Sequence, residues 1–190
     1  MRKFLLITLA LATFTVKSNA QSVGIKTNLV HWATVSPNLG IEIGLGGQTT
    51  LDISAGFNPF TFSDNRKWKH WLVQPEFRWW TCERFNGHFL GVHMLGGGFN
   101  VGNVSFFPFS IWDGLKDYRY KGHALGAGLA YGYAWMLGKH WNLEAEIGVG
   151  YAHAWYDQYD CADCGDKILD NGNKNYWGIT KLAISFVYLF

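Results

Sequence analysis

Glu144 and Glu146 lie two residues apart in a stretch where apolar and polar side chains alternate, so in a strand both carboxyls point to the same face. Paired carboxylates on one face could divide acid and base roles. Six more charges occupy the polar positions of their own alternating segments: Lys26, Glu42, Asp52, Glu76, Arg78 and Lys181. Acids mixed with cations on inward faces favour an ion-pair network, because buried charges need partners. No nucleophile and no metal-ligand spacing accompanies the acids.

Cys161-Ala162-Asp163-Cys164 is the second chemical feature. A zinc site needs two more ligands at fitting spacing, and there is no second cysteine pair. A local disulfide between Cys161 and Cys164 is favoured in an oxidising envelope, with metal or redox use and free thiols as the alternatives. Cys82 is left over, free or bridged to a partner. The histidines at 31, 70, 88, 93, 123, 140 and 153 form no ligand pattern. His153 with Asp157, and His70 with Asp64 and Ser63, are the pairings that a small barrel enzyme would need at a rim. No cofactor is expected. Gly126-Ala127-Gly128 sits in mid-strand with no following helix, so it is not a phosphate loop. Phe106, Phe107, Phe109 and Trp112 crowd one loop, either as a partner surface or folded onto the barrel rim and lipid headgroups.

The elements that would hold these residues are strands. Val23, Ile25 and Leu29 alternate with Gly24, Lys26 and Asn28; Ile41, Ile43 and Leu45 with Glu42 and Gly44; Leu51, Ile53, Ala55 and Phe57 with Asp52, Ser54, Gly56 and Asn58. Gly46-Gly47-Gln48 marks a tight turn between the last two. Trp71, Val73, Pro75, Phe77 and Trp79 share a face, with a bulge expected at Pro75 because proline lacks a ladder donor. Leu90, Val92 and Met94 face out, with Phe89, Gly91 and His93 inward. The segments 124–135 and 143–152 alternate cleanly, and Leu182, Ile184, Phe186, Tyr188 and Phe190 share the last apolar face. The glycines at 126, 128, 132, 148 and 150 face inward and leave room for long side chains such as Trp80.

Connections near 46–48, 82–87 and 137–141 are short, while 61–70, 100–116 and 156–175 are long; 34–38 is a short connection on the long-loop side. Trp79, Trp135 and Trp141 lie beside short turns, and Trp32, Trp71, Trp155 and Trp177 beside the other ends. This pattern predicts an all-β, eight-stranded antiparallel transmembrane β-barrel in an up-and-down meander, with two aromatic girdles. Aromatic residues make up 17% of the chain, which suits a lipid-facing barrel better than a water-soluble one.

Residues 1–20 read as a signal peptide, leaving 21–190 as the barrel. Arg2 and Lys3 precede the apolar run Phe4–Val16, and Ser18-Asn19-Ala20 ends it with small residues. Losing Arg2, Lys3 and Lys17 from 16 Lys and Arg leaves 13 against 14 Asp and Glu, so the basic balance of the full chain implies no nucleic-acid partner. A terminal Phe190 preceded by apolar residues at every second position resembles the signal read by the barrel-assembly machinery. Outer-membrane lipid is the expected surrounding, and a Gram-negative outer membrane the expected location.

Asp64-Asn65-Arg66-Lys67-Trp68-Lys69-His70-Trp71, Gln74-Pro75-Glu76-Phe77-Arg78, Cys82-Glu83-Arg84-Phe85-Asn86-Gly87-His88-Phe89, Trp141-Asn142-Leu143-Glu144 and Tyr188-Leu189-Phe190 together resemble a family of small Bacteroidetes outer-membrane proteins. That family is known only as a domain of unknown function. The resemblance implies a barrel of the OmpA-type build, and hints at surface adhesion through relatives encoded beside fimbrial assembly proteins. It brings no catalytic residues. A non-enzymatic barrel with a structural or surface-interaction role is the leading expectation, including a possible surface protein partner. A small barrel enzyme modifying outer-membrane lipid and a soluble periplasmic ligand-binding barrel are the alternatives.

Overall fold

Alternating chains with one apolar and one polar face can bury every backbone hydrogen bond by closing a sheet on itself, which leaves no edge strand. The computed structural model describes residues 22–60, 67–103, 118–160 and 165–190 and shows that arrangement. Eight antiparallel strands run in sequence order: β1 (Val23–Asn28), β2 (Asn38–Gly44), β3 (Thr49–Asn58), β4 (Lys67–Trp80), β5 (Gly87–Gly102), β6 (Arg119–Met136), β7 (Trp141–Tyr159) and β8 (Lys167–Leu189). Each pairs with the next, and β8 closes the barrel on β1 through Ile25–Tyr188 and Thr27–Phe186. No described helix is long and apolar enough to cross a membrane. The signal-peptide reading, the aromatic quartet Phe106, Phe107, Phe109 and Trp112, the Cys161–Cys164 pair, Ser63 and Asp64 lie outside the described residues.

Several local expectations are corrected. Leu29 does not extend β1. It opens a short helix, α1 (Leu29–Ala33), because the Asn28 side chain accepts a hydrogen bond from the Val30 N–H at 3.0 Å and caps it. Pro75 makes no bulge. Its register with β3 is unbroken at Ile53, and pairing with β5 skips Gln74 and Pro75 and resumes in the same register. The missing N–H therefore costs rungs and not alignment. Parts of the long connections are strand: β4 starts at Lys67, β5 reaches Gly102, β7 reaches Tyr159 and β8 begins at Lys167. In the outer ends of β7 and β8 both faces carry polar residues, so the hydrophobic alternation fades while the ladder continues.

The β7–β8 pairing carries register shifts instead, two of them beside Gln158 and one in the barrel proper. Gly148 pairs with Lys181 but Val149 pairs with Ile179, so Thr180 is an extra residue. The extra residue lets Thr180 and Lys181, adjacent in the chain, both reach interior partners.

At the short-turn end the interior is dry. Trp80, Phe85, Phe89, Ala134, Val187 and Leu189 form one buried cluster, with the Trp80 and Phe89 rings 4.7 Å apart. Phe85 reaches it from the β4–β5 turn by adopting a left-handed φ of 65°, and Asn142 Nδ2 donates to its carbonyl at 2.6 Å.

The outward face is apolar through the middle of the barrel. Ile25, Ile41, Ile53, Phe77, Val92, Leu129, Ile147, Val149 and Ile184, spread over all eight strands, are all exposed, Leu129 at 65%. Trp79, Trp135 and Trp141 bound this belt at the turn end, and Trp32, Trp71 and Trp177 at the other. Trp71 and Trp79 are eight residues apart on β4, about 27 Å of strand, or about 20 Å of height at the usual barrel tilt.

Candidate functional site

The eight charges singled out in the sequence stand together in the barrel interior, and all are buried. β1 supplies Lys26, β2 Glu42, β3 Asp52, β4 Glu76 and Arg78, β7 Glu144 and Glu146, and β8 Lys181. β5 and β6 carry glycine where those side chains need space. A Cβ at Gly91 would sit 2.5 Å from Glu76 Oε1.

Arg78 is the hub. Its Nε donates to Glu76 at 2.7 Å, its Nη1 to Glu42 at 2.7 Å and Glu144 at 3.1 Å, and its Nη2 to Glu146 at 2.7 Å. The guanidinium also lies 4.4 Å from the centre of the Phe89 ring, on the roof of the dry cluster. Lys26 bonds Glu42 and, at 3.0 Å, Glu144. Lys181 bonds Glu76 at 2.6 Å and lies 3.0 Å from Glu146. Asp52 lies between 3.5 and 3.7 Å from all three cations and accepts from Ser54 at 2.9 Å. A short chain of neutral bonds anchors the network below: Trp80 Nε1 donates to Thr50 Oγ1 at 2.9 Å, and Thr50 donates to Glu42 at 2.5 Å. Five carboxylates thus share three cations, and each cation touches at least two acids.

Sequence reasoning placed His93 inward but gave it no role. Its ring is fully buried over Gly128 and Gly148, with Nε2 2.8 Å from Thr180 Oγ1. No sequence signal marks that contact, because it depends on the bulge. A second missed contact is Ser36 Oγ, 3.3 Å from His70 Nε2 at the open end. His70 Nδ1 faces the Trp68 carbonyl, not a carboxylate, and Ser36 is fully buried. The pair therefore lacks the orienting acid and the access that a nucleophile needs. Nearby, burial of the His31 ring in α1, with His70 and Lys181 close by, lowers its pKa below the ordinary imidazole value.

The proposed rim pair of His153 and Asp157 does not meet in a hydrogen bond. His153 Nδ1 lies 2.5 Å from Asn175 Oδ1, while Asp157 accepts from the Asn171 N–H at 3.1 Å and pairs with Lys167 at 3.1 Å. Cys82 is exposed and its thiol is free. Among the described residues no group of three or more His, Cys, Asp or Glu is placed to hold a metal ion.

Space inside is scarce. A cavity of about 20 Å³, bordered by Lys26, His31, Asp52, Gln74 and Lys181, is on the scale of one water molecule. The arrangement can rigidify the barrel, and that cavity has no room for an organic ligand.

No curated protein and no solved structure matches the chain. A family model does, over residues 4–190, so the chain belongs to the family described as protein of unknown function (DUF3575).

Proposed function

We propose that this protein is a non-enzymatic barrel of a Gram-negative outer membrane, with a structural or surface-interaction role and an OmpA-like build. The observation that carries the reading is the exposed apolar belt, continuous around the closed barrel and bounded by two tryptophan rows. In water such a belt would be an aggregation surface; in lipid it is the required solvent contact. The ion pairs fill the interior, which suits a stable closed plug and not a conducting pore.

The remaining parts of the reading follow from the sequence. Residues 1–20 direct export and are cleaved after Ala20. Phe190, whose N–H bonds Val23 across the closing seam at 2.9 Å, ends the strand read by the assembly machinery. Bacteroidetes origin and a link to fimbrial or adhesion machinery, through the outer ends of β4 to β8, complete the proposal.

The test is envelope fractionation followed by gel electrophoresis of the detergent-extracted protein, unheated and boiled. Recovery in the outer membrane with a faster unheated band supports the closed membrane barrel. A soluble periplasmic protein without that shift overturns it. Lipid profiling with and without the gene checks the enzymatic alternative: an altered acylation pattern would sink the non-enzymatic reading.

A further inference from the structure

Above the apolar belt, on the outward face, four strands place one row of side chains side by side. Lys69 of β4 pairs with Asn100 of β5, Asn100 with Lys121 of β6, and Lys121 with Asp157 of β7. The next outward row toward the belt is Trp71, Gly98, His123 and Trp155. A concavity of about 560 Å³ opens over this junction, lined among others by Phe57, Trp71, Lys69, Asn100, Lys121, His123 and the acid Asp157.

Its chemistry is that of a headgroup site. Asp157, the acid opposite Lys121, is engaged by Lys167 and the Asn171 N–H, and neither Lys69 nor Lys121 has an ion pair among the described residues. Two cations therefore face the space, with the one lining acid, Asp157, already paired to Lys167. Asn100, between them, has a buried amide oxygen with no hydrogen-bond partner. Gly98 keeps the floor open: a Cβ there would lie 2.5 Å from the Trp71 indole nitrogen, so the indole can lie across the backbone. His123 is stacked on Trp155, ring centres 5.0 Å apart, which holds the aromatic side of the floor.

We propose that this concavity binds the phosphorylated sugar headgroup of an outer-leaflet lipid. Lys69 and Lys121 take the phosphate, and Phe57 and Trp71 meet the start of the acyl region. The inference rests on the membrane reading above. It commits to a lipid because the cations sit directly over the apolar belt, where a bound headgroup has somewhere to put its chains.

The experiment is native mass spectrometry of the folded mature protein in detergent, offered diphosphoryl lipid A and its dephosphorylated counterpart. Wild type is expected to retain the diphosphoryl lipid about tenfold better. The Lys69→Gln/Lys121→Gln double variant is expected to lose that preference, while Lys139→Gln, at a short turn, keeps it. Equal retention of the two lipids by wild type, or an unchanged preference in the double variant, overturns the site. So does displacement of the lipid by millimolar inorganic phosphate, which would mark a general anion site. The gel shift on heating, and flotation with phospholipid vesicles, separate the two readings: a protein that floats and shifts but shows no phosphate preference loses only this inference. A wild-type protein that fails to float takes the membrane reading down and the inference with it. The comparison of lipids on wild type stands even if the double variant does not fold.

Discussion

Arg78 donates to four carboxylates from one buried guanidinium, and no other side chain can copy that fork. Replacing it with Met would leave five acids facing two lysines, with their acceptors stripped of charged donors. We expect Arg78→Met to cost about 3–5 kcal/mol, the range for breaking a buried ion network from one side. Glu146→Gln should behave differently. Carboxylates outnumber cations, and the amide oxygen can still accept from Arg78, so its cost should stay within about 1 kcal/mol. Urea unfolding of vesicle-inserted protein measures both, and equal losses would show that the network is not cation-limited. At this scale the sequence was legible in part. Strand parity put all eight charges inside. Their pairing was hidden, because Lys26 reaches Glu144 only through barrel closure, 118 residues away along the chain.

Among the elements, β8 carries the irregularity that matters. The extra residue Thr180 turns inward to meet His93, and its carbonyl accepts from Gln74 Nε2 at 3.2 Å. Thr180→Ala removes the hydroxyl from a fully buried imidazole and should cost about 1–3 kcal/mol, read by the same urea titration. A neutral result would mean that His93 is satisfied by other means. Beyond the belt, the outer ends of β7 and β8 stay paired as a ribbon. There the Asn171 N–H and Lys167 hold the exposed Asp157 carboxyl below its ordinary pKa. Because the folded value is depressed, the contact is present above the ordinary carboxylate range and is lost as pH falls through the depressed value. The Asn171 amide resonance should therefore titrate below about pH 4, and the step should vanish in Asp157→Asn. This ribbon was read from the sequence as loop, since a strand with two wet faces has no hydrophobic period to betray it. Alternation in the belt, by contrast, is enforced by closure of the barrel, which puts small residues and paired charges inside and apolar side chains outside. That is why 124–135 and 143–152 were readable residue by residue.

For the whole molecule, the sign of one substitution separates a lipid-facing barrel from a soluble one. Leu129 lies in the middle of the belt on β6, beside Val92 and Val149, and is among its most exposed side chains. Its guanidinium replacement, Leu129→Arg, gives up no interior contact in either case. In water the change should be neutral or favourable, because an exposed leucine becomes an exposed cation. At a bilayer midplane it should destabilise by about 2–4 kcal/mol, and the same change at an interface should cost about 1 kcal/mol or less. Lys139, in the short turn, already shows that the chain tolerates a cation beyond the girdle. The measurement is a pair of unfolding titrations in vesicles, Leu129→Arg against Leu137→Arg in that turn. A depth-dependent penalty, large at 129 and small at 137, follows only if the belt meets hydrocarbon. Equal small effects would return the barrel to water, and its apolar surface would then have to be covered by protein.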